Sequence, residues 1–209
     1  MYYVCLSAQG IDNVERQRNN WPYAELRMDL IKPTKEDLIK LLSNKAVSYI
    51  ATCRLGDFDA SQSLELLKCA AKNGADYVDI EIERSEEDIQ ALKEVCREYS
   101  ACKMIVSYHN FDTTPDLDEL DNIINEAVRL GADCVKIACQ SNSEYDNAKL
   151  MSLYVRDENI IAFGMGRIGK ITRLACVKCG SPITYIAPDD GTSTAPGQIS
   201  LADVKSFGL

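Results

Sequence analysis

The sequence predicts a (β/α)8 TIM barrel, an α/β fold in which eight parallel strands alternate with helices, and three observations predict it. Short β-branched or aromatic runs alternate with longer amphipathic stretches, the pattern of strands covered by helices, and eight such runs can be counted. The segment Gly74-Ala75-Asp76-Tyr77-Val78-Asp79-Ile80 is repeated two units later as Gly131-Ala132-Asp133-Cys134-Val135-Lys136-Ile137. In each copy glycine sits where a left-handed helix cap is needed, a buried strand follows, and Asp79 and Lys136 occupy equivalent places. No long linker or low-complexity tract interrupts the series, so the economical reading is one barrel domain over residues 1–209. That length lies near the short end of the roughly 200 to 400 residues of such barrels.

Strands are expected over residues 2–7, 23–30, 47–54, 76–82, 103–109, 133–138, 159–165 and 183–186. Between them, apolar residues recurring at three and four predict helices over 34–42, 61–72, 86–99, 117–130 and 145–155. The acidic run 83–88 suits the start of a helix, where the macrodipole favours negative charge.

Composition narrows the function. A formal charge of -9 disfavours general affinity for nucleic acid or an anionic membrane. An anionic substrate must then meet a local basic pocket. The cysteines number nine, an odd count without the tight spacing of a secreted mini-protein, and are expected to be reduced thiols in a cytoplasmic protein. No apolar run approaches the ~18 residues of a membrane span, and the first residues lack the basic region of an export signal.

In a barrel of this kind the active site lies at the C-terminal strand ends. Glu25, Arg27 and Asp29 alternate along the second expected strand, and a period of two places them on one face. Arg54 ends the third, Glu81 lies late in the fourth, His109 closes the fifth and Lys136 sits inside the sixth. So many ions are costly filler unless they pair or bind something. Lys136, flanked by Val135 and Ile137, either snorkels outward between the helices or enters the barrel mouth. In the mouth, desolvation and cations such as Arg27 and Arg54 would free its amine to attack a carbonyl. His109 is the only histidine, and its place at a strand end suits proton transfer. Glu81 could orient the imidazole and stabilise its cation, or could simply pair with a neighbouring arginine.

Two motifs compete. Residues 164–169 satisfy G-x-G-x-x-G after a strand, with Asp189 and Asp190 about twenty residues on, as in a dinucleotide site. Too little chain follows Asp190 for the further strands such a unit needs, so these glycines read as a tight βα turn. Cys176 and Cys179 form a single C-x-x-C with neither a second pair nor a nearby histidine, which leaves no zinc set.

Taken together, Glu25-Leu26-Arg27-Met28-Asp29, Thr52-Cys53-Arg54, Asp79-Ile80-Glu81, Ser107-Tyr108-His109, Val135-Lys136-Ile137, 165–173 and Ala195-Pro196-Gly197-Gln198 resemble the type I 3-dehydroquinate dehydratase family across nearly the whole chain. The resemblance implies a cofactor-free and metal-free lyase of the shikimate pathway of aromatic amino-acid biosynthesis, converting 3-dehydroquinate to 3-dehydroshikimate. It implies Lys136 as the Schiff-base lysine, His109 as general acid/base and Glu81 as its partner. Arg173 would clamp the substrate carboxylate, with Glu25, Arg27, Arg54 and Gln198 holding hydroxyls and carboxylate. Thr194 stands where the family commonly has serine and keeps a hydroxyl. The chain starts directly at strand one, so the resemblance implies a barrel without the usual N-terminal hairpin that plugs its bottom. Residues 189–198, rich in Gly, Ser and Thr, are expected to form a lid. A class I aldolase and a degenerate, non-catalytic barrel are the alternatives, and a homodimer is left open.

Overall fold

The computed structural model describes residues 1–99 and 102–206; of the expected barrel over 1–209, residues 100–101 and 207–209 lie outside the described residues. In chain order the elements are β1 (Tyr2–Leu6), α1 (Ile11–Arg18), β2 (Tyr23–Arg27), α2 (Met28–Ile31), α3 (Lys35–Leu42), β3 (Ser48–Thr52), α4 (Ala60–Asn73), β4 (Tyr77–Glu81), α5 (Glu86–Glu98), β5 (Lys103–Asn110) and α6 (Leu117–Arg129). They continue with β6 (Cys134–Gln140), α7 (Glu144–Ser152), a 3-10 turn (Leu153–Val155), β7 (Ile160–Met165), α8 (Gly166–Gly169), α9 (Thr172–Lys178), β8 (Thr184–Ile186) and α10 (Leu201–Ser206). The strands form one parallel sheet in the order β7-β6-β5-β4-β3-β2-β1-β8, curled into a nearly closed barrel. Among the described residues no helix is long and apolar enough to cross a membrane.

Local chemistry explains the helix starts. Thr34, Asp59 and Ser143 each complete a reciprocal capping box, and Ser85 and Asp116 accept from the third helical N–H of α5 and α6. Gly74 and Gly131 end their helices with φ of 110° and 93°, the left-handed caps that the repeat required. α1 has almost no apolar periodicity to reveal it: its buried face is Val14, Gln17 and Arg18.

Along each strand alternate side chains divide between two cores. Outward residues such as Val4, Leu26, Val78, Val106, Val135 and Ile137 pack against the helices. Inward residues such as Tyr3, Ile50, Ile105, Cys134, Ile161 and Tyr185 fill the barrel. The N-terminal end of the barrel is filled by tyrosines at early inward positions: Tyr3 lies 5.4 Å from Tyr23 and 6.3 Å from Tyr77, and its hydroxyl pairs with Ser48 Oγ at 2.8 Å. Nothing in the Tyr2-Tyr3 pair signalled that role.

Two boundaries differ from expectation in ways that touch the mouth. Pairing of β2 with β3 stops at Arg27, opposite Thr52, and the chain turns at once into α2. Asp29 is therefore on a helical turn rather than on the strand face, yet it still reaches back to Arg27. The turn ends at Lys32, which adopts a left-handed conformation before Pro33, where a following proline disfavours continued helix. The expected helix 145–155 is α7 followed by the 3-10 turn.

The G-x-G-x-x-G segment is a tight turn from β7 into α8. A Cβ built on Gly169 would lie 2.4 Å from the carbonyl carbon of Gly164, and one on Gly197 would lie 2.4 Å from the Gly166 oxygen. Thr172 Oγ1 accepts from Gly164 N at 2.7 Å and donates to Gly169 O at 2.6 Å. This closeness sets the start of α9, and with it Arg173. Gly169→Ala should therefore destabilise the fold by about 1–3 kcal/mol, whereas Gly56→Ala, with nothing within 4 Å of the added carbon, should stay within about 0.5 kcal/mol of the parent. Denaturant unfolding of the pair checks this.

Candidate functional site

The strand ends converge on one cavity of about 490 Å³, lined by Glu25, Arg27, Arg54, Glu81, His109, Lys136, Arg173, Thr194 and Gln198. Every residue expected at the site from the sequence is therefore brought to one place. Asp29, Cys5, Phe111, Phe163, Met165 and Tyr185 share it.

Lys136 points inward and is 4% exposed, because Val135 and Ile137 take the helix-facing positions on β6. The outward, snorkelling reading does not hold. Its Nζ donates to Asp79 Oδ2 at 2.8 Å and lies 4.1 Å from the centroid of the Tyr185 ring. Asp79, at 1% exposure, is the hub: its Oδ1 is 3.0 Å from Arg54 Nη2 and accepts from Ser107 Oγ at 2.6 Å. Burial works to raise this carboxyl, but the cations of Arg54 and Lys136, with His109, outweigh it and hold the group well below the usual carboxylate range. Lys136 is thus seated on a carboxylate rather than among cations alone. Asp79 is the functional residue that motif reading missed, and the signal was present: the repeat sets an aspartate and a lysine at equivalent inward positions two strands apart.

Arg54 links the hub to the rest. Its Nη1 donates to Ser107 Oγ at 2.9 Å and lies 3.7 Å from Glu81 Oε1, while Nη2 reaches His109 Nε2 at 3.4 Å. A guanidinium can only donate, so Nε2 is the lone-pair nitrogen. Burial, then the Arg54 and Lys136 cations, push the pKa of the imidazole well below its ordinary value of 6.5, which favours the neutral ring. Glu81, expected to be the partner of His109, lines the same cavity. Among the described residues no hydrogen bond joins them; each touches Arg54. Burial raises the Glu81 carboxyl above its usual range, with Arg54 opposing and Asp79 adding to the shift. The Phe111 ring lies nearly parallel to the imidazole, with centroids 6.2 Å apart and 14° between planes.

The end of β3 is fixed from outside the barrel. Ser63 Oγ on α4 donates to Cys53 O at 2.7 Å, and the buried Arg84 donates to Ser63 Oγ at 3.1 Å, to Ala60 O at 2.6 Å and to Asp88. Arg54 follows directly. Glu25 is 3% exposed and accepts from Thr52 Oγ1 at 2.8 Å, and Arg27 is bound by both oxygens of Asp29 at 3.0 and 2.7 Å.

Arg173 is different. It is 1% exposed, its guanidinium lies 4.3 Å from the centroid of the Phe163 ring, and its donors reach only the carbonyls of Tyr185 and Pro196 at 3.4 and 3.5 Å. Nε has no partner, and among the described residues no carboxylate forms an ion pair with this arginine. Burial pulls its pKa down to about 10. A buried cation with this much unmet hydrogen bonding is arranged to receive an anion. Beside it Gln198 Nε2 meets Cys5 Sγ at 3.1 Å and its Oε1 accepts from Thr194 N at 2.9 Å, which folds the 189–198 loop into the mouth. Cys176 is buried and Cys179 exposed, both as free thiols, and among the described residues no group of three or more His, Cys, Asp or Glu side chains is placed to hold a metal ion.

The comparisons with known proteins show the family and the fold. The family model for type I 3-dehydroquinase matches residues 5–207. A 3-dehydroquinate dehydratase of Methanococcus maripaludis strain C7 is 36% identical over 190 residues, covering 88% of this chain and 85% of the relative. The crystal structure of the 3-dehydroquinate dehydratase from Aquifex aeolicus superposes with a TM-score of 0.83 at 29% identity, over 99% of this chain and 96% of that one. The type I enzyme from Clostridium difficile, solved with covalently modified comenic acid, gives 0.85 at 25% identity over 98% and 89%. The chain belongs to the type I 3-dehydroquinase family.

Proposed function

We propose that this chain is a lyase that dehydrates 3-dehydroquinate to 3-dehydroshikimate through an imine on Lys136, serving the shikimate pathway in the cytoplasm. The observation that carries the reading is a buried lysine amine facing a cavity that also holds a neutral imidazole and an arginine without an anion. Family membership and the dehydratase relatives support it, and the covalent ligand of the Clostridium difficile relative supports covalent chemistry in this fold.

The substrate carboxylate pairs with Arg173, whose guanidinium has donors to spare, and Arg27, Arg54, Glu25, Thr194 and Gln198 hold the hydroxyls and the carboxylate edge. Lys136 adds to the ring ketone and water leaves, giving a protonated imine that withdraws electrons from the adjacent methylene. His109, neutral and with a lone pair at Nε2, takes a methylene proton and delivers a proton to the departing hydroxyl. Water then adds to the conjugated imine with help from His109, and the amine of Lys136 leaves. Arg54 touches His109, Asp79 and Glu81, so it couples the base to the hub. Glu81 acts on His109 through Arg54 rather than by a bond of its own. The loop at 189–198 closes over the mouth and keeps bulk water from the imine.

Mixing the protein with 3-dehydroquinate should produce the ultraviolet absorbance of a conjugated enone. Borohydride added during turnover should inactivate the enzyme and leave the ligand mass on Lys136. Label on another lysine, or none, rejects the imine.

His109→Ala should lower turnover by roughly 10²-fold or more while trapping on Lys136 persists. In the unmodified enzyme the ring signals of this sole histidine should be those of a neutral imidazole at pH 6.5, where an ordinary histidine is half protonated. A protonated ring at that pH removes it as the resting base.

Gln198→Ala should raise KM roughly 5- to 10-fold, the worth of one or two pocket hydrogen bonds, with little change in unfolding midpoint. Proteolysis within 189–198 should slow when ligand is present. Unaltered KM together with ligand-independent cleavage removes this loop from the mechanism.

A further inference from the structure

We propose that Tyr185 is a catalytic residue whose aromatic face stabilises the positive charge on Lys136 nitrogen, and does so most importantly after that nitrogen has become an imine. The proposal rests on the Lys136 imine reading above and assigns a residue to it.

Tyr185 lies on β8 and Lys136 on β6, with β7 between them in the chain, so their contact crosses the inside of the barrel mouth. Nζ sits 4.1 Å from the ring centroid, within the range of a cation–π contact. Both groups are almost completely buried, Tyr185 at 2% and Lys136 at 4%, which is where the ring quadrupole is screened least. The ring is held in place by Phe163, whose centroid is 5.9 Å away at 56°, and Phe163 in turn carries the Arg173 guanidinium on its face. The phenol oxygen has no hydrogen-bond partner although it is buried. An unpaired buried hydroxyl is a cost, so the hydroxyl is not what fixes Tyr185 here. What the site uses is the ring.

The chemistry explains why a π face is suited to this nitrogen. An ammonium has three N–H donors; the protonated imine formed from it keeps one. Asp79 Oδ2, at 2.8 Å, can take that one hydrogen bond. The loss of the other donors removes directional stabilisation just when the positive charge is needed as an electron sink. A ring face attracts the cation through its quadrupole, which requires no hydrogen on nitrogen. It therefore persists through imine formation and again when loss of the hydroxyl regenerates a cationic, conjugated imine. No extra reactant enters, and no electron or proton passes to Tyr185.

The test is a graded series. Tyr185→Phe keeps the face and removes only the unpaired hydroxyl. Phenylalanine analogues carrying one, two and three ring fluorines at position 185 then weaken the quadrupole at nearly constant volume. For each, borohydride trapping over a range of 3-dehydroquinate concentrations gives the apparent constant for imine formation on Lys136, read by mass. Tyr185→Phe should retain trapping to within about three-fold. The fluorinated series should lose it progressively, by roughly 2- to 30-fold in all, the span of a cation–π contact, with kcat falling alongside. Thermal unfolding of each variant separates this trend from loss of fold, and Tyr185→Leu, which also changes volume, is not needed to decide. Trapping and kcat that stay flat across the series, with the parent trapped normally, overturn the role of Tyr185. Failure to trap the parent itself overturns the imine reading, and this proposal with it.

Discussion

The carboxylate of Asp79 is the constraint on which the rest of the site depends. It is fully buried and binds Lys136, Arg54 and Ser107 at once, so its own removal would strand the buried Lys136 ammonium without its carboxylate in the barrel. That arrangement ties β3, β4, β5 and β6 together above their backbone ladder. In register, Asp79 is level with Thr52 and Ile105, whereas Lys136 is level with Ser107 and, through it, with Glu81. The contact therefore climbs diagonally across the barrel interior, which is possible only because a sheared barrel staggers its inward residues into layers.

The opposite side of the mouth is built on different physics. β7 and β8 are the two ends of the strand order, and there side chains rather than a run of backbone pairs fill the space: Phe163 from β7, Tyr185 from β8 and the guanidinium of Arg173 against them. The close approach of Gly164 and Gly169 brings α9 tight onto the strand end, which delivers Arg173 into the barrel. Pro196 completes the seat, since its carbonyl accepts from both Gly166 and Arg173. The loop folded against the mouth and the turn that resembles a dinucleotide fingerprint are thus parts of one small structure.

How much of this could be read from the sequence depended on whether a property is local. Strand number and the placing of Glu25, Arg27, Arg54, Glu81 and His109 at strand ends follow from local patterning, which the chain carries openly, whereas the direction of Lys136 between two apolar neighbours is settled only when the strand is paired. Pairings between strands do not follow from local patterning. Whether Glu81 meets His109 or Arg54 is decided by stagger and by the length of the intervening loops, and here Arg54 lies against both. Asp79 was hidden for a related reason: flanked by Val78 and Ile80 it looks like one acidic residue in a strand, and only its match to Lys136 in the repeat hinted at a partner. The tyrosine-filled barrel bottom was not legible at all, because Tyr3, Tyr23 and Tyr77 lie on three separate strands and meet only when the sheet closes.

Charge accounting shows why the arrangement suits an anionic substrate despite the acidic chain. Arg27 is neutralised by Asp29, and Arg54 and Lys136 share Asp79 with Glu81 close to Arg54. These groups have partners before any ligand arrives and so act to position rather than attract. Arg173 alone among the pocket's cations has only carbonyls and an aromatic ring for company. A ligand carboxylate there restores a pairing that the empty pocket lacks. In the proposed reaction the protonated imine again sets a cation beside Asp79, as the Lys136–Asp79 ion pair does in the empty pocket. Removal of the methylene proton then neutralises that nitrogen and charges His109, so the cation moves across the mouth while the total charge facing the Asp79 hub stays constant.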